Sequence, residues 1–151
     1  MKKMFLMLCV VAAMLSGTTV WAHSTETEAS SKLKTALSQT FSTATHVRWY
    51  TEDNKFFTAK FMMGETVVSA YFDADGNLLS TRRYISEEQL PLAVATKVQK
   101  RYPDHKIRST VEFDASNVTT YYVTLEGENS WIVLRSDSNG QLSVHQRLKK
   151  A

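Results

Sequence analysis

The sequence contains one cysteine, two prolines and five glycines in 151 residues. The cysteine, Cys9, lies in an apolar segment near the N-terminus, so the rest of the chain has none. Disulfides, thiol catalysis and cysteine-based zinc sites are therefore excluded for the chain after this segment. Its fold has to depend on an apolar core. The glycines form neither a G-x-G-x-x-G motif nor a P-loop, which removes two common nucleotide-binding signatures.

Apolar runs long enough to cross a bilayer are also missing. The chain begins with Lys2 and Lys3, continues through an uncharged apolar run from Met4 to Leu15, and then has small and polar residues up to Ala22. That order is typical of a secretory signal peptide, and the run is too short to span a membrane. We predict a signal peptide over residues 1–22, a periplasmic or secreted protein, and no membrane insertion after cleavage.

The chain has little excess of charge of either sign. It carries 18 basic and 15 acidic side chains, and removal of residues 1–22 leaves 129 residues with 16 basic and 15 acidic ones. This balance gives no reason to expect a nucleic acid or an anionic membrane as partner. The remaining length suits one domain with a sizeable core.

Two helical patterns organise the remaining chain. Residues 23–30 are polar and unpatterned, which predicts a flexible arm. Leu33 and Leu37 in the first pattern, and Val94 and Val98 in the second, recur at helical spacing on one face. Each pattern is followed by four short alternating runs rich in Val, Phe, Tyr and Thr, which are typical of strands.

Two acidic turns that end in glycine indicate an internal repeat. Asp73–Gly76 aligns with Asp137–Gly140 at an offset of 64 residues. We predict an α+β fold with one domain over residues 31–151. It would consist of two tandem α-β-β-β-β repeats, 31–85 and 86–151, with the helices packed on one face of an antiparallel sheet.

Several short segments resemble those of a known family. They are THVRWY, TAKF, AYFDADGNLLSTRR and DSNGQL, together with the pairs Leu90-Pro91 and Tyr102-Pro103. The chain resembles the PepSY-like, beta-lactamase-inhibitor-like family of small exported bacterial domains, over residues Phe41 to Leu148. The resemblance implies a fold like that of beta-lactamase-inhibitor proteins and a role in binding or restraining other proteins, often peptidases. It provides no catalytic residues.

The turn Asp73–Gly76 has the residue types of a calcium loop without its spacing. An EF-hand needs glycine at the sixth position and glutamate at the twelfth, but counting from Asp73 gives Leu78 and Tyr84. As a glycosidase pair, Asp73 and Asp75 would have to face each other across a substrate, which neighbours in one turn do not do. A hairpin turn with glycine in the left-handed conformation explains both acidic turns.

Histidines and hydroxyl residues give no catalytic pattern. His46, His105 and His145 are scattered and lack a ligand spacing such as H-E-x-x-H. There is no G-x-S-x-G motif, and the S-x-x-K match at Ser31 lacks its companion motifs. We therefore predict a protein that is not an enzyme, with no metal site and no cofactor.

The hairpins predict which side chains face away from the helices. If three-residue loops close both hairpins, Phe72 pairs with Leu78, and the side away from the helices carries five aromatic and arginine residues: Tyr71, Arg83, Trp131, Arg135 and Arg147. This composition is typical of protein-recognition surfaces. We predict that these five residues contact a protein or peptide partner in the cell envelope. A one-residue register slip would invert the assignment.

Two alternatives remain at this point. In the first, the side away from the helices is an ordinary solvated sheet face with scattered apolar residues, which needs no partner. The chain would alternatively be a periplasmic sensor of a small ligand or metal, with a cleft between its two halves.

Overall fold

The computed structural model describes residues 24–150. Its strands are β1 (Thr25–Thr27), β2 (Thr45–Thr51), β3 (Phe56–Met63), β4 (Thr66–Asp73), β5 (Leu78–Ile85), β6 (Lys106–Ala115), β7 (Val118–Glu126), β8 (Ser130–Asp137) and β9 (Leu142–Lys149). Its helices are α1 (Ser31–Thr40) and α2 (Leu92–Arg101), and a short 3₁₀ turn (Glu87–Gln89) follows β5. The predicted signal peptide, 1–22, lies outside the described residues.

Within residues 24–150, nine strands form one antiparallel sheet in the order of the sequence, from β1 to β9. The prediction of two tandem helix-covered α-β-β-β-β repeats is therefore wrong. β5 and β6 pair from Ser80 with Ala115 to Ile85 with Thr110, so the sheet continues across the expected boundary at 85/86. The fold is dominated by this continuous sheet, because the two helices have only ten residues each.

Part of the predicted flexible arm, 23–30, forms a strand in the structure. Thr25, Glu26 and Thr27 form β1 and pair with the residues from Thr51 to Trp49 of β2. Ala29 is buried in the core beside α1. The alternation Thr-Glu-Thr is too short to predict a strand by itself, and the neighbouring edge of β2 supplies the pairing.

Two apolar clusters lie on one side of the sheet, and each includes one helix. Leu33 and Leu37 of α1 pack in the cluster of Phe72, and Val94 and Val98 of α2 pack in a second cluster with strands β7 and β8. We call this side of the sheet the helix-covered face and the other side the open face. Neither α1 nor α2, nor any other helix in residues 24–150, is long and apolar enough to cross a membrane.

Both acidic turns close hairpins, as the sequence predicts. Asp73 Oδ1 accepts hydrogen bonds from the backbone N–H groups of Asp75 and Asn77, each at 2.9 Å. Asp137 Oδ1 accepts two equivalent bonds in the second turn. Gly76 and Gly140 have φ values of +82° and +78°, in the left-handed region that favours glycine.

Candidate functional site

Three of the five predicted contact residues lie on the open face. Trp131 and Arg135 alternate along β8 with Ile132 and Leu134, which are buried on the helix-covered face. Since successive side chains of a strand point to opposite faces, Trp131 and Arg135 project from the open face. Tyr71 occupies the same face, because both of its neighbours along β4 are completely buried in the core.

Arg83 lies on the helix-covered face, which corrects the predicted side. Phe72 pairs with Leu78 as expected, but Tyr71 then pairs with Ser80, so the hairpin contains an extra residue. Beyond this β-bulge the register is shifted by one, and Arg83 pairs with buried Val68. A shift of one residue moves every later side chain of the strand to the other face.

A second bulge has the same effect on Arg147. Leu134 pairs with Val144, but Val133 pairs with Gln146, so His145 is the extra residue in β9. Arg147 consequently pairs with buried Ile132 and lies on the helix-covered face. The predicted set of five therefore does not share one surface.

The open face contains further residues that the sequence prediction missed. Tyr84, Val111, Tyr122 and Arg135 are successive cross-strand partners and form one row over β5, β6, β7 and β8. Arg82 lies on the same face, and its guanidinium carbon is 5.4 Å from the ring centroid of Tyr84. The Tyr122 and His145 rings contact edge to face, with centroids 5.2 Å apart. The neighbours Arg82-Arg83 and Tyr121-Tyr122 in the sequence offered both faces as candidates. The bulge in β5 decides between the arginines, and alternation with buried Val123 and Leu125 decides between the tyrosines.

The open-face residues are spread over a broad surface. Tyr71 on β4 and Arg135 on β8 are four strand spacings apart, about 19 Å, and their rows are offset by four residues, about 13 Å. The two side chains therefore project from points roughly 23 Å apart. The backbone of the sheet holds these points at fixed positions.

An ion-pair network fixes the end of the open face at Trp131. Lys150 Nζ lies 2.7 Å from Glu126 Oε1 and 5.1 Å from the Trp131 ring centroid. Arg108 also pairs with Glu126. The hydrogen bond from Lys150, and then that from Arg108, lowers the pKa of the Glu126 carboxyl. Trp131 is half-buried against this network and still presents part of its ring to solvent.

On the helix-covered face, Arg83 forms part of a polar group between the two apolar clusters. Its Nε lies 2.6 Å from Glu112 Oε1, and this hydrogen bond raises the pKa of Arg83. Burial, and then the nearby charge of Glu112, raises the pKa of the Tyr121 phenol. Arg83 and Glu112 are therefore paired with each other at this position.

Metal-ligating side chains do not cluster in the described part of the chain. Residues 24–150 contain no group of three or more His, Cys, Asp or Glu side chains arranged to hold a metal ion. An open depression of about 560 Å³ lies where the end of α1 meets the start of β5 and the β6–β7 turn. Phe41, Leu78 and Ala115 contribute to its lining.

Comparison with known proteins identifies the fold. The sequence matches no family model, and no curated protein matches it significantly. The structure is similar to that of a BLIP-like protein from Bacteroides fragilis, with 22% identity, 83% of this chain and 90% of that chain covered, and a TM-score of 0.72. It is also similar to a DUF2874 family protein from Bacteroides uniformis (15% identity, 81% and 90% covered, TM-score 0.68).

A third similar structure is that of a predicted periplasmic protein from Bacteroides eggerthii, with 15% identity, 82% of this chain and 90% of that chain covered, and a TM-score of 0.67. These likenesses place the chain in the class of BLIP-like (beta-lactamase-inhibitor-protein-like) folds. At such low identities the likeness concerns the fold, and function has to be argued from the surface.

Proposed function

We propose that the chain is an exported, non-enzymatic binding protein that recognises a protein or peptide of the cell envelope through its open face. The row Tyr84, Val111, Tyr122 and Arg135 is the observation that carries this proposal. It combines aromatic, aliphatic and arginine side chains, which are enriched where proteins bind each other. Tyr84 is 53% exposed, so the row is accessible to a partner.

The size of the open face favours a macromolecular partner. A stable interface buries about 800 Å² on each partner, which corresponds to a patch roughly 28 Å across. Tyr71 and Arg135, roughly 23 Å apart, fit within such a patch. A small ligand would reach only one of them.

The aromatic and arginine residues of the open face have different proposed roles. Tyr122 and Trp131 are half-buried aromatics whose remaining exposed surface serves as anchors. Arg82 and Arg135 offer planar guanidinium groups to carboxylates or backbone carbonyls of the partner. Tyr71 lies at the periphery.

The similar structures and the N-terminal sequence support the cellular setting of the proposal. A fold shared with a protein described as BLIP-like agrees with inhibitor-type binding. Likeness to a predicted periplasmic protein agrees with the predicted signal peptide over 1–22. The PepSY-like resemblance belongs to the same proposal, since such domains bind or restrain other proteins.

An affinity experiment with matched variants tests the proposal. The purified protein is immobilised, and bound proteins from an envelope extract are quantified for wild type, for Tyr122→Ala with Arg135→Ala, and for Leu92→Ala on the exposed surface of α2. We expect a specific partner whose recovery falls at least about tenfold in the open-face double variant and is unchanged in Leu92→Ala. Equal recovery by all three proteins would contradict the proposal.

The depression of about 560 Å³ beside α1 favours a second candidate, a small-ligand sensor. A ligand that binds only the folded chain increases its free energy of unfolding, by about 2.7 kcal/mol when the ligand concentration is one hundred times Kd. The melting temperature rises as a result. A thermal-shift screen of envelope metabolites and metal ions distinguishes the candidates. A hit abolished by Thr81→Trp, at a lining position on the helix-covered face, would favour the sensor.

A further inference from the structure

β9 ends the sheet with an unpaired edge. In the described part of the chain this strand pairs with β8 alone, and seven of its eight residues are exposed. The backbone N–H and C=O groups on its outer side are therefore available to a further strand. This edge is a surface separate from the open face.

The surroundings of the β9 edge are strongly basic. Residues 141–151 contain Arg147, Lys149 and Lys150 and no acidic residue. Arg147 and Lys149 pair with Ile132 and Ser130, which places both on the helix-covered face. Among the described residues neither of the two cations forms an ion pair.

Helix α2 adds three more cations at the start of the same edge. Lys97, Lys100 and Arg101 line a groove of about 490 Å³ together with Gly140 and Leu142. Arg101 Nη1 donates a 3.4 Å hydrogen bond to the carbonyl of Leu142, and Lys97 Nζ donates a 3.2 Å bond to that of Asn139. These bonds hold Lys97 and Arg101 beside the turn and the start of β9, so cations flank the strand at its start and, through Arg147 and Lys149, at its end.

We propose that β9 binds an extended acidic segment of another protein, which adds to the sheet as a further antiparallel or parallel strand. Backbone hydrogen bonds along the edge would supply affinity for any extended chain. Carboxylates at alternate positions of the added strand would face Arg147, Lys149 and the cations of α2, and would supply the selectivity.

A second copy of this chain fits the β9 edge poorly. Two β9 strands would bring like charges together, which is unfavourable. The opposite edge, β1, offers only three residues. Its acidic residue Glu26 pairs with Tyr50 and so lies on the open face, whereas Arg147 and Lys149 lie on the helix-covered face.

The bulge at His145 makes charge an important part of the interaction. It interrupts the regular edge and leaves Gln146–Lys149 as the longest regular stretch available. Few backbone hydrogen bonds can form there, so the ion pairs must supply much of the affinity. Exposed ion pairs are screened by salt, and binding should therefore weaken as ionic strength rises.

A synthetic peptide tests the proposal directly. The probe is an acetylated and amidated peptide of roughly eight residues, the usual strand length, with Glu and Val in alternation. One comparison peptide replaces every Glu by Lys. Two others carry backbone N-methyl groups at alternate residues, one at the Glu positions and the other at the Val positions. Binding is measured by titration calorimetry and amide hydrogen exchange with the full chain and with the double variant Arg147→Glu plus Lys149→Glu. The control is Arg48→Glu plus Lys55→Glu, which changes the charge equally at the far side of the sheet.

We expect the Glu-Val peptide to bind wild type and the control with similar affinity, and to protect amides of β9 from exchange. Binding should fall at least about tenfold in the Arg147→Glu plus Lys149→Glu variant and with the Lys-containing peptide. At least one of the two N-methylated peptides should bind as weakly as the Lys-containing peptide. Absence of binding, binding of both N-methylated peptides as tight as that of the unmethylated peptide, or a wild-type chain that self-associates through β9 would each overturn the proposal.

Discussion

Arg83 and Glu112 are directly opposed on β5 and β6, and 2.6 Å separates Arg83 Nε from Glu112 Oε1. The pair lies on the helix-covered face, between the two apolar clusters. Its position follows from the bulge at Leu79, which moves Arg83 away from the open face and leaves Arg82 there. The bulge therefore determines which arginine of β5 a partner can meet on the open face, and the pair of Arg83 with Glu112 reports it.

The two neighbouring arginines of β5 should differ in their contribution to the free energy of unfolding. Arg83→Ala leaves the Glu112 carboxylate, only 12% exposed, without its partner, and we expect a loss of roughly 1–2 kcal/mol in the free energy of unfolding. Arg82→Ala should change this free energy by less than about 0.5 kcal/mol. Denaturant unfolding measures both, and a larger loss for Arg82→Ala would show that the assigned register is wrong.

Two phenylalanines on adjacent strands test the assignment of the faces. Phe72 on β4 is completely buried, whereas Phe56 on β3 is 58% exposed. Phe72→Ala should cost about 3–5 kcal/mol, because it leaves a cavity beneath α1. Phe56→Ala should have an effect below about 1 kcal/mol. Comparable losses in chemical denaturation would contradict the assigned burial.

Two glycines with positive φ distinguish backbone strain from packing. At Gly140 an added Cβ would lie 2.6 Å from the carbonyl oxygen of Ala93 in α2, whereas at Gly64 it would meet nothing within 4 Å. Gly64→Ala should cost about 1–2 kcal/mol, the strain of a left-handed residue with a side chain. Gly140→Ala should cost clearly more, since α2 has to move. Equal melting temperatures of the two variants would show that α2 does not rest against this turn.

Acid should destabilise the first turn through Asp73. Hydrogen bonds from the Asn77 side chain and backbone lower the pKa of Asp73 below its ordinary value of 3.8. Because the folded state favours the carboxylate, its stabilisation is present above pH 3.8 and is lost as the pH falls through the lower folded-state pKa. Thermal unfolding between about pH 6 and pH 2 should show a flatter acid dependence for Asp73→Asn than for wild type.

Asp75→Asn provides the control in the same turn. Asp75 accepts a hydrogen bond from Lys32 on the surface and none from the turn backbone among the described residues. Because this variant leaves the turn hydrogen bonds of Asp73 in place, it should keep their contribution to the acid dependence. If Asp73→Asn and Asp75→Asn behaved alike, the turn hydrogen bonds of Asp73 would not be the cause.

Local patterns predicted the turns and the buried apolar positions well. Asp-x-x-Gly fixes each turn through short-range hydrogen bonds, and the spacing of Leu33 and Leu37 identifies the buried side of α1. The sequence could not reveal that the sheet continues from β5 to β6, because that pairing joins segments separated by a helix. Nor could it reveal the bulges at Leu79 and His145, since one extra residue changes no local pattern.

Site-specific photo-cross-linking is the most direct test of the open face as the partner-binding surface. A photoreactive phenylalanine analogue is placed at Tyr84 or Tyr122 on the open face and, as the control, at Leu92, which is 81% exposed on α2. Irradiation of cells that export the protein should give the same cross-linked species from both open-face positions and not from Leu92. Cross-linking of that species from Leu92 alone, or equally from all three positions, would contradict a binding role for the open face.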